Sequence, residues 1–141
     1  MGEITIPEHH NLVWLRAGDG FLVSALLVTK EYDRMEDILD IPIVLQIHGL
    51  LGNFLSRGTP RLLPHALVER GYSTLSINTR LAFAGQMTSM GIFDDTIKDV
   101  DAAVEFLAGE GFSNIFVLGY SLGSAMLAHW AANREHTNVR G

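Results

Sequence analysis

The sequence predicts an α/β fold: a mostly parallel sheet preceded by an N-terminal antiparallel hairpin. Three observations carry that expectation. Two short, nearly continuous apolar runs, 41–47 and 115–118, have the composition of strands buried on both faces. Helical patterns alternate with these and with a third strand-like run, as in βαβ units. Near the start, Ala17-Gly18-Asp19-Gly20 separates two β-rich runs, the signature of a hairpin.

Taken in order, Asn11 to Arg16 and Phe21 to Val28 are the hairpin strands. Lys30 to Asp40 follows, with Lys30, Glu31, Asp33, Arg34, Glu36, Asp37 and Asp40. It reads as a solvated surface connection with at most a helical turn. Ile41-Pro42-Ile43-Val44-Leu45-Gln46-Ile47 is the first buried-type strand. A helix is expected over 60–70, where Leu62, Leu63, Ala66 and Leu67 form one stripe; Pro60 suits a first turn, and Pro64 argues for a later start. Gly71 ends it and Ser73 to Asn78 is the next strand. Ile97, Val100, Val104 and Leu107 recur at helical spacing over 94–107. The acids Asp94, Asp95, Asp99 and Asp101 read as the solvated start of that helix, and Gly109 and Gly111 as its end. Ile115-Phe116-Val117-Leu118 is a strand, and the Ala-, Leu- and Met-rich stretch 121–133 a buried helix.

Composition narrows the function classes. Of 141 residues, 48% are hydrophobic and 18% charged, too apolar for intrinsic disorder and of a size for one domain. Sixteen acids against ten bases give a net charge of -6. An acidic chain without a basic cluster argues against nucleic acid, which is bound by neutralising phosphates. With no cysteine, disulfides, thiolate metal sites and a thiol nucleophile are excluded. No metal-ligand cluster or cofactor motif stands out, so neither metal nor cofactor is expected. The first residues, Met1-Gly2-Glu3-Ile4-Thr5-Ile6, lack a leader's apolar core, and no apolar run reaches membrane-span length. A cytoplasmic protein without a membrane partner is the expectation.

The chemistry-bearing segment is Gly119-Tyr120-Ser121-Leu122-Gly123, which fits G-x-S-x-G. Four apolar residues precede it and a helical run follows, the strand–turn–helix setting of a nucleophile elbow. Glycines two before and two after the serine let strand and helix approach without a Cβ between them, and the helix N-terminus presents free N–H groups to a developing oxyanion. A second segment, His48-Gly49-Leu50-Leu51-Gly52-Asn53, follows the strand at Ile43.

Together these motifs resemble the α/β-hydrolase superfamily, of the serine esterase or lipase type. The resemblance implies a hydrolase-type sheet opened by the hairpin, with Ser121 as nucleophile. It also implies backbone N–H groups of Leu50 and Leu122 as the oxyanion hole, with His48, Gly49, Gly119 and Gly123 as structural parts of the loop and elbow. His48 is expected to brace the loop, not to serve as base. The stretch 70–80 resembles the family's fourth strand and the basic residue after it, here Arg80, read as structural. Many members continue with Gly-His; here Leu81-Ala82-Phe83-Ala84-Gly85 stands instead, so this loop's shape departs from the pattern. Met87 and Met90 read as loop or core packing.

In that family the acid and the histidine of the triad follow the serine. The 20 residues after Ser121 hold no Asp and one acid, Glu135. His129 lies two helical turns on and His136 near the helix end, neither within reach of Ser121; His9, His10 and His65 precede the serine. Asn138-Val139-Arg140-Gly141 resembles the beginning of the family's sixth strand. The expectation is therefore that residues 1–141 are the N-terminal part of a single α/β-hydrolase domain, truncated after the elbow helix. The implied substrate is a small-molecule ester or thioester. The chain alone is expected to be inactive, and prone to self-association through the strand edge at Ile115. Two other readings differ in class. A non-catalytic α/β-hydrolase-like binding or remnant protein would keep the fold without turnover. A Rossmann-type nucleotide binder would need G-x-G-x-x-G where His48-Gly49-Leu50-Leu51-Gly52 stands.

Overall fold

The hairpin turn forms as its residues dictate. Gly20 takes φ 89° and donates its N–H to Ala17 O at 2.8 Å, and Ala17 N–H returns to Phe21 O at 2.8 Å. It joins β1 (His10–Arg16) to β2 (Leu22–Val28). This is a computed structural model, and it describes residues 9–82 and 92–141. Among them, β3 (Ile43–Ile47), β4 (Ser73–Asn78) and β5 (Ile115–Gly119) complete a five-stranded sheet in the order β1-β2-β4-β3-β5. β4, β3 and β5 run parallel; β2 is antiparallel to β4, and β1 to β2. The sheet is mixed, with the hairpin at one edge and β5 near the other.

Three helices pack on this sheet: α1 (Thr59–Glu69), α2 (Thr96–Glu110) and α3 (Leu122–Asn133). Alternation along the strands sorts the two faces. Leu45, Ile47, Leu75 and Ile77 join Val100, Leu107, Met126 and Trp130 of α2 and α3 in the main apolar core. The opposite face of the central strands carries Gln46, Thr74, Ser76 and Asn78, all buried. It lies against α1, and Gln46 bonds that helix. Pro64 sits inside α1 and has no N–H for the carbonyl of Pro60 four residues back. Gln46 Nε2 donates to Pro60 O at 2.9 Å in its place. A later helix start at Pro64 is thus not needed, because a side chain of β3 takes over the lost bond.

One boundary also differs from the pattern reading. α2 continues through Gly109 and stops at Gly111, whose φ of 104° is the left-handed cap. The charged stretch 30–40 holds a single 3₁₀ turn at Met35–Asp37, in agreement with the expected connection.

The β5 edge is partly covered. Ile115 N–H donates to Asn138 O, Arg140 N–H to Ile115 O and Val117 N–H to Gly141 O, each at 2.8 Å, with Ile115 and Val139 bridged in parallel. Residues 138–141 therefore begin a strand beside β5. Phe116 is still exposed, as are Ala125, Ala128, Ala131 and Ala132 of α3.

Candidate functional site

β3 and β5 are neighbours, with Ile47 opposite Gly119, so the loops leaving their C-terminal ends emerge side by side. Tyr120 N–H donates to Ile47 O at 3.0 Å, fixing one loop to the strand that carries the other. Ser121 stands at the tip of the β5–α3 turn, with φ 55° and ψ -120°. Among the described residues only Ser121 and Leu51 (φ 54°) are non-glycines with positive φ, and each belongs to one of these two loops. Such conformations cost about 1–3 kcal/mol each and persist only where the surroundings enforce them.

The enforcement here is close packing. The Cα of Gly49 lies so near that a Cβ built on it would stand 3.0 Å from Ser121 Cβ and 3.3 Å from Tyr120 Cδ1. Gly123 is buried against the carbonyls of Ile47 and His48, and Gly119 against the backbone of Gly123 and Ser124. Gly123 N–H bonds Tyr120 O and Ser124 N–H bonds Ser121 O, both at 2.9 Å, closing the first turn of α3. The 49–56 loop is held by Gly52 N–H to Gly49 O (3.1 Å), Ser56 N–H to Asn53 O (3.0 Å) and Phe54 N–H to Asn78 Oδ1 (2.8 Å).

The resulting notch has an exposed Ser121 between Tyr120 and Leu50, with Leu50, Leu51 and Leu55 all more than half exposed. Neither Leu50 N–H nor Leu122 N–H has an acceptor among the described residues, and Ser121 Oγ has no hydrogen-bond partner among them. His129 Nε2 lies 3.3 Å from Asp94 O and its ring packs on Phe93, while His136 Nδ1 accepts the N–H of Asn138. Neither is engaged with Ser121. Met87 and Met90 lie outside the described residues.

His48 is buried at 1% exposure. Thr79 N–H points at its Nε2 from 3.1 Å, so that nitrogen carries the lone pair and Nδ1 the proton; Nδ1 donates to Gly49 O at 2.8 Å. Burial lowers the imidazole's pKa below its usual 6.5. The consequence for stability has a definite sign. Above pH 6.5 both folded and unfolded chains hold a neutral His48. Below it the unfolded state binds a proton that the folded state refuses, so stability falls as pH falls toward the depressed folded value. The urea midpoint is expected to drop between about pH 7.5 and 5.5, and less so in His48→Asn; an equal drop in both would remove His48 from this dependence.

Sequence reasoning passes over two groups that set this geometry. Thr79 meets the His48 ring from the end of β4. Asp99, placed by pattern on a solvated helix start, is instead fully buried and accepts three hydrogen bonds within 3.1 Å from Arg80: the backbone N–H at 2.8 Å, Nη2 at 2.8 Å and Nε at 3.1 Å. Arg80 reaches on to Asp19 of the hairpin turn at 2.7 Å and lies over the Phe21 ring at 4.9 Å. Helical spacing marks Asp99 only as one of several acids; its partner is 19 residues away.

No family model and no curated protein matches the sequence. Solved structures do match. An esterase of Pyrococcus furiosus aligns with TM-score 0.72 at 21% identity, over 90% of this chain and 47% of its own. An α/β serine hydrolase without a lid from Xanthomonas campestris aligns at 0.69 and 18%, over 92% and 59%. Est1E of Butyrivibrio proteoclasticus aligns at 0.67 and 20%, over 86% and 45%. The chain spans about half the length of these proteins. Among the described residues no helix is long and apolar enough to cross a membrane.

Proposed function

We propose that this chain, which has the α/β-hydrolase fold, carries the nucleophile and oxyanion side of a serine hydrolase acting on a carboxylic ester or thioester. The observation that supports it best is Ser121: an exposed hydroxyl at a positive-φ strand-to-helix tip, packed against Gly49 and flanked by two N–H groups without acceptors. In the reaction, Ser121 Oγ attacks the acyl carbon. The carbonyl oxygen becomes an oxyanion facing the N–H groups of Leu50 and Leu122. Its collapse expels the alcohol or thiol and leaves an acyl-serine, which water then hydrolyses. A base must take the Oγ proton, and none among the described residues touches it. Base and acid are therefore assigned to residues outside these 141, in keeping with the span of the similar esterases. The non-catalytic reading is favoured by that same missing base.

Butylboronic acid tests the site without a side-chain base: the Ser121 oxygen adds to boron, its proton passes to the buffer, and boron becomes a tetrahedral anion facing the same two N–H groups. The wild-type chain is expected to give a tetrahedral ¹¹B signal that Ser121→Ala abolishes. It is also expected to show no p-nitrophenyl butyrate turnover above the Ser121→Ala control. A boron signal that is absent, or unchanged in Ser121→Ala, overturns the nucleophile assignment; clear Ser121-dependent turnover overturns the placement of the base outside the chain.

A further inference from the structure

We propose that His48 and Thr79 are positioning residues that together aim the Leu50 N–H at the Ser121 notch. The inference rests on the oxyanion reading above and adds to it the device that holds the donor in place.

The Gly49 carbonyl and the Leu50 N–H belong to one planar peptide group and point in opposite directions. Whatever grips the carbonyl therefore orients the N–H. The closer grip is the Nδ1–H of His48, 2.8 Å from Gly49 O, and the Gly52 N–H at 3.1 Å is the second donor to that oxygen. A hydrogen bond accepted at the carbonyl also polarises the N–H at the other end of the same peptide, making it a better donor.

The grip works only if the proton is on Nδ1. A lone pair there would face the carbonyl oxygen and repel it. The choice between the two nitrogens is made at the end of β4, 31 residues away in sequence. Thr79 presents its backbone N–H to Nε2 at 3.1 Å, a donor that cannot turn into an acceptor. Thr79 Oγ1 stands 2.9 Å from the same nitrogen and itself accepts Leu81 N–H at 3.3 Å, which leaves its own proton free for Nε2 or for Met126 Sδ at 3.6 Å. The backbone N–H of Thr79 is thus the fixed donor to Nε2, and the hydroxyl is free to act as a second. The ring is enclosed, so no water competes for either nitrogen. Thr79, the residue just past β4, thereby determines the direction of a donor on the β3 loop.

Two substitutions separate the ring's two edges. The amide nitrogen of Asn stands close to where Nδ1 stands, and that of Gln close to Nε2. His48→Asn keeps the grip on Gly49, whereas His48→Gln keeps only the link to Thr79. Long-range ¹H–¹⁵N spectra of the wild-type chain are expected to show the proton on Nδ1. The Gly49 carbonyl ¹³C shift is expected to move in His48→Gln and stay in His48→Asn. Affinity for butylboronic acid is expected to fall about tenfold or more in His48→Gln and to stay within about threefold in His48→Asn. A proton on Nε2, or equal effects of the two substitutions, overturns the inference. Should the wild type fail to bind the boronic acid, the nucleophile reading fails, while the tautomer and the Gly49 shift still decide this one. Should His48→Gln fail to fold, the wild-type tautomer decides alone.

Discussion

Replacing Gly123 by alanine is expected to cost about 3 kcal/mol or more and to leave the chain largely unfolded under conditions where the wild type is native. The added Cβ would stand 2.5 Å from Ile47 O and 2.6 Å from His48 O, both backbone atoms at the end of β3. A flexible side chain could turn away; these carbonyls cannot. Ile47 O already accepts Tyr120 N–H, and the His48 carbonyl belongs to the residue whose ring grips Gly49. Relief requires α3 to move off β3, which would break the first turn of α3 and release Ser121 from its positive φ. Urea unfolding followed by circular dichroism measures the effect. A loss under about 1 kcal/mol would show that helix and strand can separate cheaply, and the close approach would lose its structural importance. Gly109 is the internal control. Nothing lies within 4 Å of a Cβ built there, and the residue is inside α2. Alanine at that position is expected to stabilise by about 0.5–1 kcal/mol.

The second large effect is expected at Asp99. Asp99→Ala should destabilise by about 3–5 kcal/mol, because it strands the buried guanidinium of Arg80. Asp99 is fully buried, and its carboxylate holds both the side chain and the backbone N–H of Arg80. Burial pushes the Asp99 carboxyl up, against the pull of Arg80. Burial also works against the Arg80 charge, but hydrogen bonds to Asp19 and Asp99 outweigh it and raise the guanidinium's pKa. Asp19 keeps part of its carboxylate in solvent, and the bonds from Arg80 hold it well below the usual carboxylate range. Asp19→Ala should therefore cost clearly less than Asp99→Ala, since the solvent-facing partner is screened. An equal or larger loss at Asp19 would mean that the exposed arm of the cluster carries the stability. The cluster ties the hairpin turn, the end of β4 and α2 together in one place. Its loss should also loosen Thr79, the residue before Arg80, and so the ring of His48.

How far the residues alone lead can be judged element by element. The hairpin, the order of strands and helices, and the strand–turn–helix around Ser121 were legible, because each rests on local chemistry. Gly20 makes a turn where φ must be positive, apolar periodicity separates strand from helix, and the glycines at 119 and 123 admit close approach. The pairing of the two loops came from their resemblance to a family, not from spacing. Pro64 shows where local reasoning fails: alone it argues against a helix start at Thr59, and only Gln46, 14 residues before Pro60 and on a different element, reverses that argument. Asp99 fails in the same way, reading as one acid among several until Arg80 is brought against it.

Which segments are strands and helices, and which serine can stand at a turn, follows from preferences that act over a few residues. Tertiary structure decided which polar groups meet: Gln46 with Pro60, Arg80 with Asp99, Thr79 with His48. These pairs depend on strand order and register. Register is settled by burying one whole face of the sheet at once, a condition that no local stretch of residues contains.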